Sequence, residues 1–183
     1  MKKKILDVAA RLIQEHGLRK FTIDEIATEL KISKKTIYQY FESKDDIIRA
    51  YFDTTIASDK DSVEAALESD KDYYEKIHSI IHSTHQYRLP AKLLNESRLF
   101  YPEEWAKIEE LKRFKLDAIN KLLKKAAAKG ILRQGLNFAV LSKMLEEISD
   151  MFIDYDFLLE NKLKTSEAID EALKIILSGI LKQ

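Results

Sequence analysis

Apolar side chains recur at intervals of three and four residues along almost the whole chain, and no window sustains the alternation of a strand. Ile5, Leu6, Val8, Ala9, Leu12 and Ile13 form a first helical stripe, ending where His16 meets Gly17. Ile26, Ala27 and Leu30 make a second, and Ile37 and Phe41 continue the buried side of a third. Ile47, Ile48, Tyr51 and Phe52 open a long helix predicted from Ser43 to about Leu67, spanning ~37 Å at 1.5 Å per residue. Ser69 with Asp72 predicts the cap of a helix running toward Arg88, and Pro90 a break before a shorter helix over Ala91 to Leu99. Pro102 followed by Glu103 and Glu104 predicts the start of another helix, which runs to about Lys129 and stops at Gly130. The last two helices carry wide stripes: Leu141, Met144, Leu145, Ile148 and Phe152 in one, Leu173, Ile176, Leu177 and Ile180 in the other.

Between Thr22 and Lys44 three helix starts crowd into about two dozen residues. Thr22 with Glu25 reads as a capping box, and Phe21 with Ile26 as its hydrophobic staple. Ser33 caps the next helix, with Ile32 and Ile37 in the staple positions, and Ser43 with Asp46 caps a third. Only Lys31 and Ile32 separate the first of these helices from the second cap, so the two must cross steeply, and small Ala27 suits that approach. Lys31 stands where a left-handed residue is needed, at a cost of roughly 1 kcal/mol for a side chain.

The middle helix carries the candidate chemistry. Lys34, Lys35 and Thr36 occupy its first turn, which leads into a DNA groove and whose free N–H groups favour phosphate. Lysine can donate to guanine O6 and N7, and Gln39 can pair with adenine. Tyr38 and Tyr40 offer hydroxyls to phosphate and rings to a thymine methyl or a sugar. Lys44 suits the positive end of its own helix poorly and makes more sense against a phosphate. The competing reading of these residues is a solvated charged face with half-buried tyrosines.

Charge agrees in sign with a DNA-binding head on a more acidic body. The 31 basic and 31 acidic residues cancel, but residues 1–50 hold 11 Lys and Arg against 8 Asp and Glu, and the remainder 20 against 23. The chain has no cysteine, hence neither disulfides nor thiolate chemistry. The apolar run after Lys2, Lys3 and Lys4 is too short and interrupted for a signal peptide, and no stretch approaches the ~18 apolar residues of a membrane span. These features predict a cytoplasmic protein without a membrane partner. No G-x-S-x-G, P-loop or H-E-x-x-H supports an enzyme. A helical protein-interaction module is the alternative function, but it leaves the lysines and tyrosines of the middle helix unexplained.

His78, His82 and His85 fall at i, i+4 and i+7 on one helical face, with Glu75 one turn before. Two histidines at i, i+4 can chelate a divalent ion, yet three on one straight helix cannot easily converge, and no further ligand motif is visible. The expectation is therefore a pocket-wall or polar-face role, with neither metal nor cofactor.

The segment Ile5 to Ala27, I-L-D-V-A-A-R-L-I-Q-E-H-G-L-R-K-F-T-I-D-E-I-A, and the segment S-K-K-T-I-Y-Q-Y-F-E-S-K from Ser33 to Lys44 together resemble the DNA-binding domain of the TetR family of bacterial transcriptional regulators. K-G-I-L-R-Q-G-L-N, from Lys129, is similar to the family's link into its penultimate helix. Lys31 replaces the family's turn glycine, and Lys35 stands where a small residue is common, which implies an extra groove or backbone contact. The resemblance implies an all-α fold: an N-terminal three-helix helix-turn-helix DNA-binding domain over residues 1–46, and a helical ligand-binding and dimerisation domain over 47–183. It implies base-edge roles for Lys34, Lys35 and Gln39, and backbone roles for Thr22, Thr36, Tyr38, Tyr40 and Lys44, with Ser33 capping the reading helix. It implies a homodimer on a palindromic operator, with Leu145, Ile148, Phe152, Leu173, Ile176 and Ile180 at the subunit interface; ordinary core is the competing reading of those stripes. It also implies an unidentified small-molecule effector, for which Tyr74, His78, His82, Phe100, Trp105, Phe114 and Phe152 are candidate pocket residues. The function implied is a ligand-responsive repressor.

Overall fold

The computed structural model describes residues 1–83, 86–87, 89–151 and 155–180. They form α1 (Lys2–His16), α2 (Ile23–Leu30), α3 (Lys34–Tyr38), α4 (Lys44–Glu68), α5 (Tyr73–Ile81), α6 (Ala91–Phe100), α7 (Pro102–Ala128), α8 (Phe138–Met151), α9 (Tyr155–Glu160) and α10 (Thr165–Ile180), with no strand among the described residues. The fold is all-α, as the periodicity predicts. The chain divides into two compact units, Met1–Ser58 with His85–Ile108 and Asp59–Thr84 with Glu109–Gln183. Helices α4 and α7 contribute residues to both.

In the first unit the predicted stripes become the core. Ile5, Ile13, Phe21, Ile26, Ile37 and Phe41 are all buried, each worth about 1.5–3 kcal/mol on leaving water. That burial lets helices as short as α2 and α3 persist, since isolated helices of such length are marginal in water. Gly17 ends α1 at φ 93°, a left-handed angle glycine adopts without strain. There α6 contributes a contact between segments 78 residues apart: the Leu18 N–H donates to the Glu96 carboxylate at 2.7 Å. Tyr87 stacks on buried Tyr51, ring centroids 5.5 Å apart, and donates its hydroxyl to Asp7 at 2.6 Å.

In the second unit Val63, Ile77, Leu122, Leu145, Leu173 and Leu177 belong to one apolar cluster. Two expectations change here. The cap of α5 is Asp72, not Ser69: the Asp72 side chain accepts the Glu75 N–H and Glu75 returns the bond, whereas the Ser69 hydroxyl donates back to the Ala66 carbonyl. The helix also ends at Ile81 rather than running toward Arg88, because His82 leaves helical geometry at ψ 38°. By contrast α7 stops as expected, with Gly130 at φ 71° and N–H bonds from Gly130 to Ala127 and from Ile131 to Ala126, a Schellman ending.

A charged pair lies deep in this unit. Asp59 of α4 is fully buried; it accepts the Ser83 hydroxyl and sits 2.8 Å from the Lys115 ammonium of α7. Burial pushes the Lys115 ammonium below the usual lysine range, and the Asp59 carboxylate partly offsets that.

Candidate nucleic-acid interface

The candidate interface comprises α2, α3 and the start of α4, and each begins with its own cap. Thr22 accepts the Glu25 N–H at 3.2 Å, and its own N–H donates to the Glu25 carboxylate at 2.7 Å, closing the box. The Thr22 hydroxyl, then its N–H, hold the Glu25 carboxyl below the usual range. Ser33 accepts the Thr36 N–H at 3.1 Å. Ser43 accepts the Asp46 N–H at 3.0 Å, but Asp46 returns its bond to Glu42 rather than to Ser43, so the third start is an open version of the expected box.

The turn joining α2 to α3 is a Schellman ending on a lysine. Lys31 adopts φ 54° and ψ 43°, its N–H donates to Thr28, and the Ile32 N–H donates to Ala27. The left-handed geometry read from the sequence is present, and the chain accepts it without glycine.

The middle helix is shorter than the sequence motif. Helical geometry covers Lys34–Tyr38, Gln39 is the C-cap, and Tyr40 lies in the following turn. Ile37 and Phe41 anchor the inner side, leaving Lys34, Lys35, Gln39 and both tyrosines outward. Tyr38 is 50% exposed and Tyr40 40%, high values for large aromatic rings. Thr22 and Ser33 are exposed and Thr36 is half-buried, with the Ser33 and Thr36 hydroxyls 2.9 Å apart.

Two lysines already have partners. Lys34 pairs with Asp24 of α2 at 2.7 Å, which raises its pKa and keeps it charged. Nothing in the spacing marks Asp24 beyond its favourable place in the first turn of α2. Lys44 donates to the Arg19 carbonyl at 2.7 Å and lies over the Phe21 ring at 4.4 Å, so it ties the start of α4 to the segment after α1. Burial lowers its pKa, with Asp45 and Glu25 opposing.

Other expected site residues scatter. Phe100 and Trp105 belong to the first unit, and Phe100 lies under the Arg19 guanidinium at 4.3 Å; Tyr74, His78, His82 and Phe114 belong to the second. Phe152 and His85 lie outside the described residues. Of the residues expected at a subunit interface, Leu145, Ile148, Leu173 and Ile180 are buried in the chain's own core, and Ile176 packs against it half-buried. The stripes were wide enough for two faces, and these positions take the inner one. Among the described residues, the exposed large apolar side chains of the same helices are Val140 and Met144 on α8 and Ile175 on α10. His78 and His82 meet Asp170 of α10, a partner 88 positions beyond His82 that helical spacing cannot reveal.

Residues 5–51 match the model of the tetR family of bacterial regulatory proteins. The uncharacterized HTH-type transcriptional regulator YvaF of Bacillus subtilis is 25% identical over 183 residues, covering 98% of this chain and 95% of its own length. A regulator from Saccharomonospora viridis solved with choline shares the fold at TM-score 0.76 and 18% identity, covering 100% of this chain and 98% of its own. FadR of Bacillus subtilis, solved with stearoyl-CoA, does so at TM-score 0.64 and 20% identity, covering 98% of this chain and 100% of its own. Residues 5–51, which hold most of α1, α2, α3 and the start of α4, thus carry the DNA-binding segment of the tetR family of bacterial regulatory proteins, and the chain is a DNA-binding transcriptional regulator.

Proposed function

We propose that the protein is a homodimeric repressor whose two α3 helices enter successive major grooves of a palindromic operator, and whose affinity for it falls when a small molecule binds the second unit. The carrying observation is the outer side of α3 and of the turn after it, where Lys34, Lys35, Tyr38, Gln39 and Tyr40 are exposed over a buried Ile37–Phe41 anchor. In this reading Lys34, Lys35 and Gln39 meet base edges, and Tyr38, Tyr40, Thr36 and Lys44 meet the backbone. Thr22 and Ser33 hold the helix starts that aim them. Lys34 must leave Asp24, and Lys44 the Arg19 carbonyl, to take up those contacts.

A second copy supplies the other half-site, about one helical turn of DNA away. The proposed contact face is the outer side of α8 and α10. On α10, Ala172, Ile175, Ile176 and Gly179 fall at i, i+3, i+4 and i+7; Ile175 is 73% exposed, and a Cβ at Gly179 would meet nothing within 4 Å. Small residues flanking isoleucines allow two helices to approach closely. Effector control is supported by the choline and stearoyl-CoA bound to the two similar regulators. Tyr74 and Phe114 of the second unit are the candidate effector contacts.

Sedimentation velocity and mobility shift on the DNA flanking its own gene test the reading together. Wild-type protein should sediment as a dimer and shift that DNA specifically. Ile175→Glu should yield a folded monomer with only weak, salt-sensitive binding. A wild-type monomer that shifts the DNA specifically would overturn the dimer, and no specific shift would overturn the operator reading.

A further inference from the structure

Two imidazoles and a carboxylate converge in the second unit, away from everything the DNA-binding reading uses. His78 lies in the last turn of α5 and His82, one turn on, is its C-cap. Their ring centroids are 4.6 Å apart. Asp170 of α10 brings Oδ1 within 2.6 Å of His82 Nε2 and 3.1 Å of His78 Nε2. The three donor atoms all lie within 4.8 Å of one another.

We propose that His78, His82 and Asp170 bind a divalent transition-metal ion of the zinc class, each giving one ligand, with a fourth position open to solvent. Zinc bound at ~2.0–2.2 Å by nitrogen and oxygen holds tetrahedral donors roughly 3.3–3.5 Å apart. Reaching that spacing from the present one takes side-chain shifts on the order of 1 Å. All three side chains are partly exposed, so water and an ion can reach them. The i, i+4 pair on one helix is a spacing that chelates, and α10 supplies the third ligand that one helix could not. Two imidazoles with a single carboxylate suit zinc, iron(II), cobalt or nickel; calcium and magnesium take shells of oxygen, and copper(I) prefers sulfur.

Such an ion would link α5 to α10, the helix that carries the proposed contact face. Any effect on dimerisation rests on that reading, whereas ion binding does not. The test uses tag-free, chelator-treated full-length protein, titrated with Zn²⁺ in a calorimeter and with Co²⁺ by visible absorption. One ion per chain should bind, with the cobalt bands of a low-coordinate site. Asp170→Asn and His82→Ala should each weaken zinc binding by about 100-fold or more, beyond the roughly 10–100-fold typical of losing an outer-shell partner. The more exposed His78→Gln serves if circular dichroism shows His82→Ala misfolded. Absence of saturable one-per-chain binding, or wild-type affinity in Asp170→Asn, would overturn the site. Repeating the titration on Ile175→Glu separates the two proposals, because that variant should still take up one ion whatever its oligomeric state.

Discussion

Lys115→Met should be among the most damaging single substitutions in the second unit, although it replaces a charged residue by an apolar one of similar length. The change takes the Lys115 ammonium away from the fully buried Asp59 carboxylate, which also accepts the Ser83 hydroxyl. At the 2.8 Å separation, Coulomb's law with an effective dielectric of 20 gives an attraction of about 6 kcal/mol. Desolvation of both ions consumes part of that, and removal of one partner of a buried pair costs 3–5 kcal/mol as a rule, so a loss of about 3–5 kcal/mol is expected. Urea unfolding followed by circular dichroism reads it: with a slope of about 2 kcal/mol per molar, the midpoint should fall by roughly 1.5–2.5 M. The double variant Lys115→Met with Asp59→Leu decides the reasoning, since replacing both ions by apolar groups is typically neutral or stabilising by about 1–4 kcal/mol. Both should be measured at one protomer concentration, because association adds to apparent stability. If Lys115→Met costs less than about 1 kcal/mol, or the double variant is no better than the single, the pair is not the buried, mutually dependent unit described.

Three further outcomes are expected. Asp24→Asn frees Lys34 from an exposed ion pair and should tighten DNA binding about 1.5- to 5-fold by fluorescence anisotropy; unchanged affinity would detach Lys34 from the proposed interface. Lys31→Gly relieves a left-handed turn at φ 54° and should raise the unfolding free energy by up to about 1 kcal/mol, with a fall counting against strain there. Burial raises the pKa of Tyr51 and, with the Asp7 carboxylate, of Tyr87 above the ordinary 10.0. The folded state therefore keeps protons that the unfolded state releases, so this stability is full below pH 10.0 and lost as pH rises past it. Urea midpoints should fall above that pH, and less steeply in Tyr87→Phe; an identical slope would deny the coupling.

Much of the first unit was legible because its signals are local. A capping box at Thr22 and Glu25, a cap at Ser33 and a left-handed turn at Lys31 each involve residues within a few positions of one another, so hydrogen-bond geometry alone predicts them. The α5 start misled for a related reason: Ser69 and Asp72 both suit a cap, and only the backbone path showed that Asp72 takes Glu75 while Ser69 bonds within α4.

The sequence by itself determined the helical periodicity, the punctuation between helices and the crowding of lysines and tyrosines on one short helix, because each follows from repeat spacing and nearest-neighbour chemistry. Only the tertiary structure decided which side of a wide stripe faces inward, burying Leu145, Ile148 and Leu173 and leaving Val140, Met144 and Ile175 outside. It alone brought Glu96 to Leu18, Lys115 to Asp59, and Asp170 to His78 and His82. Those pairs lie dozens of residues apart, and a hydrogen bond or ion pair leaves no trace in spacing once its partners come from different helices.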